Sequence, residues 1–206
     1  MTDDDLERAL SALSRGAIVA AATETFFGLL ADPRNEQALD RLFDLKGRAA
    51  THGVTLLLPD RAAWSTLVTA VPEMAVRLAD SFWPGPLTIA LPARRELDRR
   101  VTVDDTVAVR LAGPSDAARI AAAFGAPLTA TSANRTGEPP GATSDEVGSR
   151  FGDAIANSAL TLVSGRAPGG QASTLVAVVE GRVRVVRSGA VRESDLSGVL
   201  PTSAFR

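Results

Sequence analysis

The chain of 206 residues contains no cysteine, no tyrosine and only one histidine and one lysine. Without cysteine there can be no disulfide framework, no thiol nucleophile and no zinc–thiolate site. Because His52 is the only histidine, His-rich metal sites are excluded and a His-dependent catalytic triad is disfavoured. Most of the common hydrolase mechanisms therefore do not apply.

Strong net charge and long apolar stretches are also lacking. The net charge is -2, which argues against a protein held on nucleic acid by bulk positive charge, although arginines clustered in one cleft would escape this total. No apolar run approaches the ~18 residues of a membrane helix, and residues 1–5 are acidic where a secretory signal would be basic. We expect a cytoplasmic protein that does not contact membranes.

The composition, 45% hydrophobic and 22% charged, is that of a globular chain, and the length fits one domain. Short apolar runs predict buried strands, and amphipathic stretches with capping residues predict helices between them. The predicted strands are 17–22, 54–58, 87–91, 107–111, 128–131 and 160–163, with a hairpin formed by 173–179 and 182–187. The predicted helices lie near 6–15, 36–46, 62–71, 72–83 and 114–124, with one opening at Ser144. This alternation predicts a mixed α/β fold, and residues from Ser194 on are expected to be a small appended helix or a loose tail.

Polar segments with glycines in or near them lie at the ends of predicted strands, at the position where open α/β sheets bind ligands. They are 23–28, 129–134 and 169–174, and hydroxyl and amide groups in them suit phosphate oxygens or a nucleoside. The alternative for 23–28 is a simple capped turn. We expect these segments to form one crevice.

A further polar segment, 45–48, carries Lys46 and Arg48, with His52 close behind. Two fixed cations so close together suit a polyphosphate, because arginine offers a forked pair of donors and lysine a point charge. The alternative is that Lys46 only complements the dipole of its helix, and that Arg48 and His52 are solvated surface residues.

Seven motifs in the same order resemble those of the YrdC/Sua5 family of threonylcarbamoyl-AMP synthases. The motifs are TETFFGL (23–29), LKGR (45–48), FWPGPLT (82–88), VAVR (107–110), TSAN (131–134), AST (172–174) and VRSG (186–189). The resemblance implies one YrdC-like domain over residues 5–190, with 191–206 as a C-terminal tail. It implies a twisted, mostly parallel mixed sheet flanked by helices, with a concave, positively charged face.

The resemblance also implies an activity: condensation of L-threonine, bicarbonate and ATP, with Mg²⁺ on the ATP, into threonylcarbamoyl-adenylate and pyrophosphate. This is the first step of the t6A modification of tRNA, so tRNA and proteins of that pathway are implied as partners. By position, the expected threonine contacts are Thr25, Arg110 and Ser173. The expected ATP site comprises Lys46, Arg48, His52, Thr106, Ser132, Asn134 and Arg187.

Two other functions remain open at this point. A basic concave face could bind double-stranded RNA without catalysis. A related enzyme could form a carbamoyl-adenylate on another acceptor, because the chain departs from the family pattern at Ala22, Ala49, His52 and Pro140. The location of the arginines separates the first alternative from a synthase, since a closed pocket favours small substrates and an open stripe favours RNA. For Arg110, a salt bridge to Asp104 or Asp105 is the alternative to substrate binding.

Overall fold

The computed structural model describes residues 1–47 and 53–205, and these ranges form six α-helices and eleven β-strands. The helices are α1 (Asp3–Ser14), α2 (Glu36–Lys46), α3 (Glu73–Phe82), α4 (Asp116–Phe124), α5 (Ser144–Ala156) and α6 (Glu193–Val199). The strands are β1 (Ile18–Ala22), β2 (Phe27–Leu30), β3 (Leu56–Leu57), β4 (Leu87–Pro92), β5 (Thr102–Val103), β6 (Thr106–Arg110), β7 (Leu128–Thr129), β8 (Thr131–Ser132), β9 (Leu160–Leu162), β10 (Thr174–Val179) and β11 (Arg182–Arg187).

Helix α2 shows how the sequence fixes an element that later positions the site. Asn35 caps its start, because the Asn35 side chain accepts a hydrogen bond from the backbone N–H of Ala38 at 3.1 Å. Gly47 ends it in the left-handed conformation, with φ at 56°. Both ends were predicted from the sequence, and both predictions are confirmed.

The strands form two mixed sheets, ordered β8-β2-β1-β9 and β11-β10-β4-β6-β3-β7, with β5 paired to β6. The predicted mixed α/β fold is confirmed, but the expectation of mostly parallel pairing is corrected. Among the described strands, six pairings are antiparallel and three are parallel. Half of the antiparallel pairs, β1–β2, β5–β6 and β10–β11, join consecutive strands by short turns, and strands joined so tightly run antiparallel.

The two sheets differ in how their faces are covered. Strand β1 is buried along its whole length, because α1 and α4 pack on one face of its sheet and α2 and α5 on the other. In the larger sheet, one face packs against α3 and α6 through a core that includes Val107 and Val109, and the opposite face is covered only at β3 and β7, where Leu57 and Leu128 join the core of α1 and α4. Side chains alternate along a strand, so Thr106, Ala108 and Arg110 of β6 point to the other, open face.

Residues 27–30 and 62–71 differ from the prediction, and the C-terminal segment agrees with one of its two alternatives. Residues 27–30, for which no strand is predicted, form strand β2, because the apolar run after the turn pairs with β1. The helix predicted over 62–71 is only a 3-10 turn, Ala62–Thr66. At the C-terminus, the helical alternative holds, since α6 places Leu196 in the core of the larger sheet. No helix within the described ranges is both long and apolar enough to cross a bilayer.

Candidate functional site

A cleft of about 840 Å³ lies over the open face of the larger sheet. Eight of the residues predicted as substrate contacts line it: Thr25, Lys46, Thr106, Arg110, Ser132, Asn134, Ser173 and Arg187. The other two, Arg48 and His52, lie outside the described residues. The polar segments, as far as the structure describes them, therefore line one crevice as expected, while the role of each residue stays a prediction.

The cleft has an inner end, which lies where β6 ends and β10 begins and contains Arg110 and Ser173. The turn between β1 and β2 forms one wall of this inner end. Thr23 Oγ1 accepts a hydrogen bond from the backbone N–H of Thr25 at 3.1 Å, and the two threonine hydroxyls lie 3.0 Å apart. The backbone N–H of Gly169 donates to the Thr25 carbonyl at 2.7 Å, which joins this turn to the glycine-rich segment before β10. The segment is thus both a capped turn and a wall of the cleft, so the two interpretations do not compete.

Ser173, just before β10, lies at the meeting point of three motifs. Its hydroxyl is 3.0 Å from the hydroxyl of Thr88 and accepts a hydrogen bond from Arg187 Nη2 at 3.0 Å. Arg187 Nη2 and Nε also donate to the Ser173 carbonyl, at 2.8 and 3.2 Å. Gly189 makes this approach possible, because a Cβ there would lie 2.2 Å from the carbonyl oxygen of Ala172.

Arg110 ends β6 on the cleft face and is only 6% exposed. Its Nε donates to the Gly85 carbonyl at 3.3 Å, and its Nη2 lies 2.6 Å from Glu24 Oε1. The alternative of a salt bridge holds in part, since Arg110 does pair with a carboxylate, but the partner is Glu24. Asp104 and Asp105 form the turn between β5 and β6, both with positive φ.

Lys46 lies in the last turn of α2, as predicted, but its ammonium group reaches beyond the helix. It is buried, and Nζ donates to the Ser132 carbonyl at 2.6 Å and to Asn134 Oδ1 at 3.2 Å. Asn134 Nδ2 in turn donates to the Glu138 carbonyl at 2.6 Å. A role limited to the helix dipole therefore does not describe Lys46, which fixes the loop that carries Ser132 and leaves the Ser132 side chain facing the cleft.

The inner end of the cleft carries an excess of positive charge. Desolvation, and secondly the charge of nearby Arg110, lower the pKa of Arg187. Glu24 offsets one of these two guanidinium groups, while the carboxylates of Asp104 and Glu180 line the cleft near the turns at the far ends of their strands. Such an arrangement favours anionic ligands.

Three groups that shape the site were missed by the sequence analysis: the carboxylate of Glu24, the hydroxyl of Thr88 and the carbonyl of Gly85. All three lie inside motifs that carried the family resemblance, at 23–29 and 82–88. Membership of a motif was the only signal available, because their partners are Arg110 and Ser173, far away along the chain.

The Sua5/YciO/YrdC family model, whose description is "Telomere recombination", matches residues 11–189. The chain belongs to this family. A threonylcarbamoyl-AMP synthase from Idiomarina loihiensis is 39% identical over 158 residues, which are 74% of this chain and 83% of that protein. A threonylcarbamoyl-AMP synthase from Vibrio parahaemolyticus is 36% identical over 158 residues, covering 74% and 84%.

Solved structures of the family agree with the fold. Sua5 from P. abyssi, complexed with L-threonine, superposes with a TM-score of 0.89 at 28% identity, covering all of this chain. The chain spans 60% of the length of that protein. YciO from E. coli has a TM-score of 0.80 at 22% identity over 92% of this chain and 91% of its own, which shows the shared fold. The resemblance found in the sequence is therefore confirmed.

Proposed function

We propose that the chain is an L-threonylcarbamoyl-adenylate synthase, which condenses L-threonine, bicarbonate and ATP and releases pyrophosphate. One observation carries the proposal: a single cleft gathers all eight described side chains that the family resemblance assigns to threonine and ATP. The names of the relatives and the L-threonine complex of the P. abyssi protein support the same reaction.

The reaction needs alignment more than acid–base chemistry. The threonine amine and bicarbonate give a carbamate and water, and a carbamate oxygen then forms a bond to the α-phosphorus of ATP as the bond to pyrophosphate breaks. Holding the reactants in line can supply ~7–11 kcal/mol of the barrier. A site built from arginine, lysine and hydroxyl groups is suited to this task, because it orients anions and neutralises their charge.

We propose that threonine binds at the inner end of the cleft. The fork of Arg110 suits the α-carboxylate, and the hydroxyls of Thr25 and Ser173 are neutral hydrogen-bonding groups for the rest of the amino acid. Each of these three side chains is at least nine-tenths buried, so a small ligand bound there would be shielded from water.

We propose that ATP binds along the neighbouring wall of the cleft. Ser132 and Thr106 offer hydroxyls, and Arg187 offers a guanidinium group beside Ser173. Lys46 and Asn134 hold the loop that carries Ser132. The proposal keeps Arg48 and His52 as contacts to the phosphates, on the family resemblance.

Mg²⁺ is expected to enter with ATP as part of the substrate. Within the described ranges, no group of three or more His, Asp or Glu is placed to hold a metal. An ion bound to phosphates takes most of its ligands from phosphate and water, and the hydroxyls of Thr131 and Ser132 on the cleft wall are oxygen donors of a type it accepts. The ion would stabilise charge on the leaving pyrophosphate.

The cleft volume favours small substrates over a duplex. About 840 Å³ falls in the range of roughly 300–1,000 Å³ typical of small-molecule sites. RNA binding by itself is therefore not proposed, although the product would serve t6A formation on tRNA. We propose that the chain works in the cytoplasm with tRNA-modifying partner proteins downstream.

Pyrophosphate release tests the proposal. With ATP, Mg²⁺, bicarbonate and each common amino acid in turn, threonine should give the fastest release, and omission of bicarbonate should abolish it. If ATP binds but no amino acid supports bicarbonate-dependent release, the synthase assignment is wrong. If another amino acid is preferred, the chain is the related enzyme with a different acceptor.

A further inference from the structure

The buried ion pair between Glu24 and Arg110 leaves hydrogen-bonding atoms of both side chains unused, which is unusual for a salt bridge that only stabilises the fold. Arg110 Nη2 lies 2.6 Å from Glu24 Oε1, yet it makes no aligned hydrogen bond, and Glu24 Oε2 has no hydrogen-bond partner among the described residues. Buried polar atoms are nearly always paired, so an exception calls for an explanation, and a ligand that completes the set is one. This pair therefore marks a place where binding is expected to add hydrogen bonds.

Glu24 is itself held on a second side. Its Oε1 accepts a hydrogen bond from the backbone N–H of Gly113 at 2.9 Å. The two segments lie close together, because a Cβ at position 113 would be 3.4 Å from Glu24 Cγ. Glu24 thus ties the turn after β1 to the segment after β6, and Arg110 is clamped between Glu24 and the carbonyl of Gly85.

The charges of the inner end require such a clamp. Arg110 and Arg187 are close enough for the charge of Arg110 to act on Arg187, and Glu24 is the one carboxylate within ion-pair distance of either guanidinium among the described residues. A buried guanidinium without a counter-ion is costly and would turn away from its like-charged neighbour. Glu24 keeps Arg110 in place while the Nη1 side of its fork stays uncommitted in the described structure.

We propose that Glu24 is a positioning residue that holds the Arg110 fork in the orientation that receives the α-carboxylate of the amino-acid substrate. This inference rests on the proposed function. The alternative is that Glu24 only neutralises Arg110 and competes with the substrate carboxylate for it. A competing carboxylate would weaken threonine binding, whereas a carboxylate that holds Arg110 in the right orientation strengthens it. Removal of the charge therefore has opposite effects under the two accounts.

The test compares Glu24→Gln with Glu24→Asp and with the control Asp98→Asn. Glu24→Gln keeps size and can still accept from Gly113, but it loses the ion pair. Asp98 pairs with Arg100 through a similar contact outside the cleft. We expect Glu24→Gln to raise the threonine KM about tenfold, the lower end of the range for a hydrogen bond to a charged group, with the KM for ATP unchanged. Glu24→Asp, which keeps the charge, should recover part of this loss, and Asp98→Asn should have no effect.

A second readout does not depend on turnover. Calorimetry with L-threonine and with L-threoninamide, which lacks the carboxylate, measures how strongly the site distinguishes them. The preference for threonine should shrink in Glu24→Gln and remain in Asp98→Asn. An unchanged preference, a lower threonine KM, or an equal rise in both KM values would overturn the positioning role.

Failure of this inference is distinguishable from failure of the proposed function. If the wild-type protein does not use threonine but another amino acid, the same comparison is made with that amino acid and its amide. If Glu24→Gln does not fold, Glu24→Asp carries the test, since its shorter side chain cannot reach Arg110 and Gly113 together. Threonine discrimination equal to that of the wild type in Glu24→Asp would then contradict the clamp.

Discussion

The inner and outer ends of the cleft are built on opposite principles. At the inner end, Arg110 and Ser173 are each 6% exposed and are bonded to neighbouring segments. At the outer end, the cleft is lined by Val103 and Val179, which are 43% and 37% exposed. The bonded side chains of the inner end can orient a ligand, whereas the exposed valines of the outer end can only make apolar contact with it.

This difference follows from where the strands begin and end. The inner end is formed where β6 ends and β10 begins, so segments far apart in sequence meet there and lock one another. The outer end is formed by the β10–β11 hairpin, whose turn at Glu180 and Gly181 is exposed. Because folding already holds the side chains of the inner end in place, a ligand that binds there loses less free energy in ordering them.

The sharpest challenge to the comparison is Arg110→Lys. Lysine keeps the charge but not the fork, so the threonine KM should rise about 10- to 100-fold, which corresponds to about 1.5–3 kcal/mol. Steady-state kinetics with each substrate varied separately measures this change. An equal rise in the ATP KM would show that Arg110 does not act on the amino acid alone.

A change at Lys46 should affect stability as well as binding. Lys46→Met removes the two hydrogen bonds to the loop that carries Ser132 and should lower the free energy of unfolding by about 1–3 kcal/mol. Urea denaturation measures this loss, and ATP affinity should fall with it. The matched control is Arg184→Met at the outer end, since Arg184 makes no ion pair in the described part of the chain. Equal stability of the two variants would contradict the special role of Lys46.

Ser173→Ala tests a smaller contribution at the inner end. It removes a hydroxyl that lies 3.0 Å from both Thr88 Oγ1 and Arg187 Nη2. Threonine binding should weaken by about 0.5–1.5 kcal/mol, the value of a neutral hydrogen bond. Calorimetry measures this, with Thr88→Val as the companion variant that removes the other hydroxyl. A fully unchanged threonine affinity in both variants would remove the hydroxyl pair from the binding site.

The smallest effect is expected at the outer end. Val179→Ser should change stability by less than about 0.5 kcal/mol, because Val179 is exposed at the end of β10 that leads into the hairpin turn. Its threonine KM should equal that of the wild type. A large loss of threonine affinity would show that the outer end also sets the substrate, and the contrast between the two ends would fail.

Local signals in the sequence were sufficient where one segment determines its own structure. Asn35 and Gly47 fix the two ends of α2, and the turn at Glu180 and Gly181 fixes a hairpin. Strand β2 was missed because the polar turn before it dominates the pattern, whereas the strand is selected by pairing with β1.

The candidate site shows the same limit. Arg110 was identified, but its partner was sought among the nearby Asp104 and Asp105, because proximity along the chain was the only guide. The actual partner, Glu24, becomes a neighbour only when the turn after β1 meets the end of β6. Contacts of this kind depend on the packing of the two sheets, which no local pattern specifies.

The central claim is that the inner end of the cleft selects threonine as the amino acid whose carbamate is joined to the α-phosphate of ATP. Mass spectrometry of products formed from ATP, Mg²⁺, ¹³C-labelled bicarbonate and an equimolar mixture of amino acids tests it most directly. We predict one labelled adenylate, threonylcarbamoyl-adenylate, in the wild-type protein and its selective loss in Arg110→Lys. A labelled adenylate carrying a different amino acid, or none despite bound ATP, would contradict the claim.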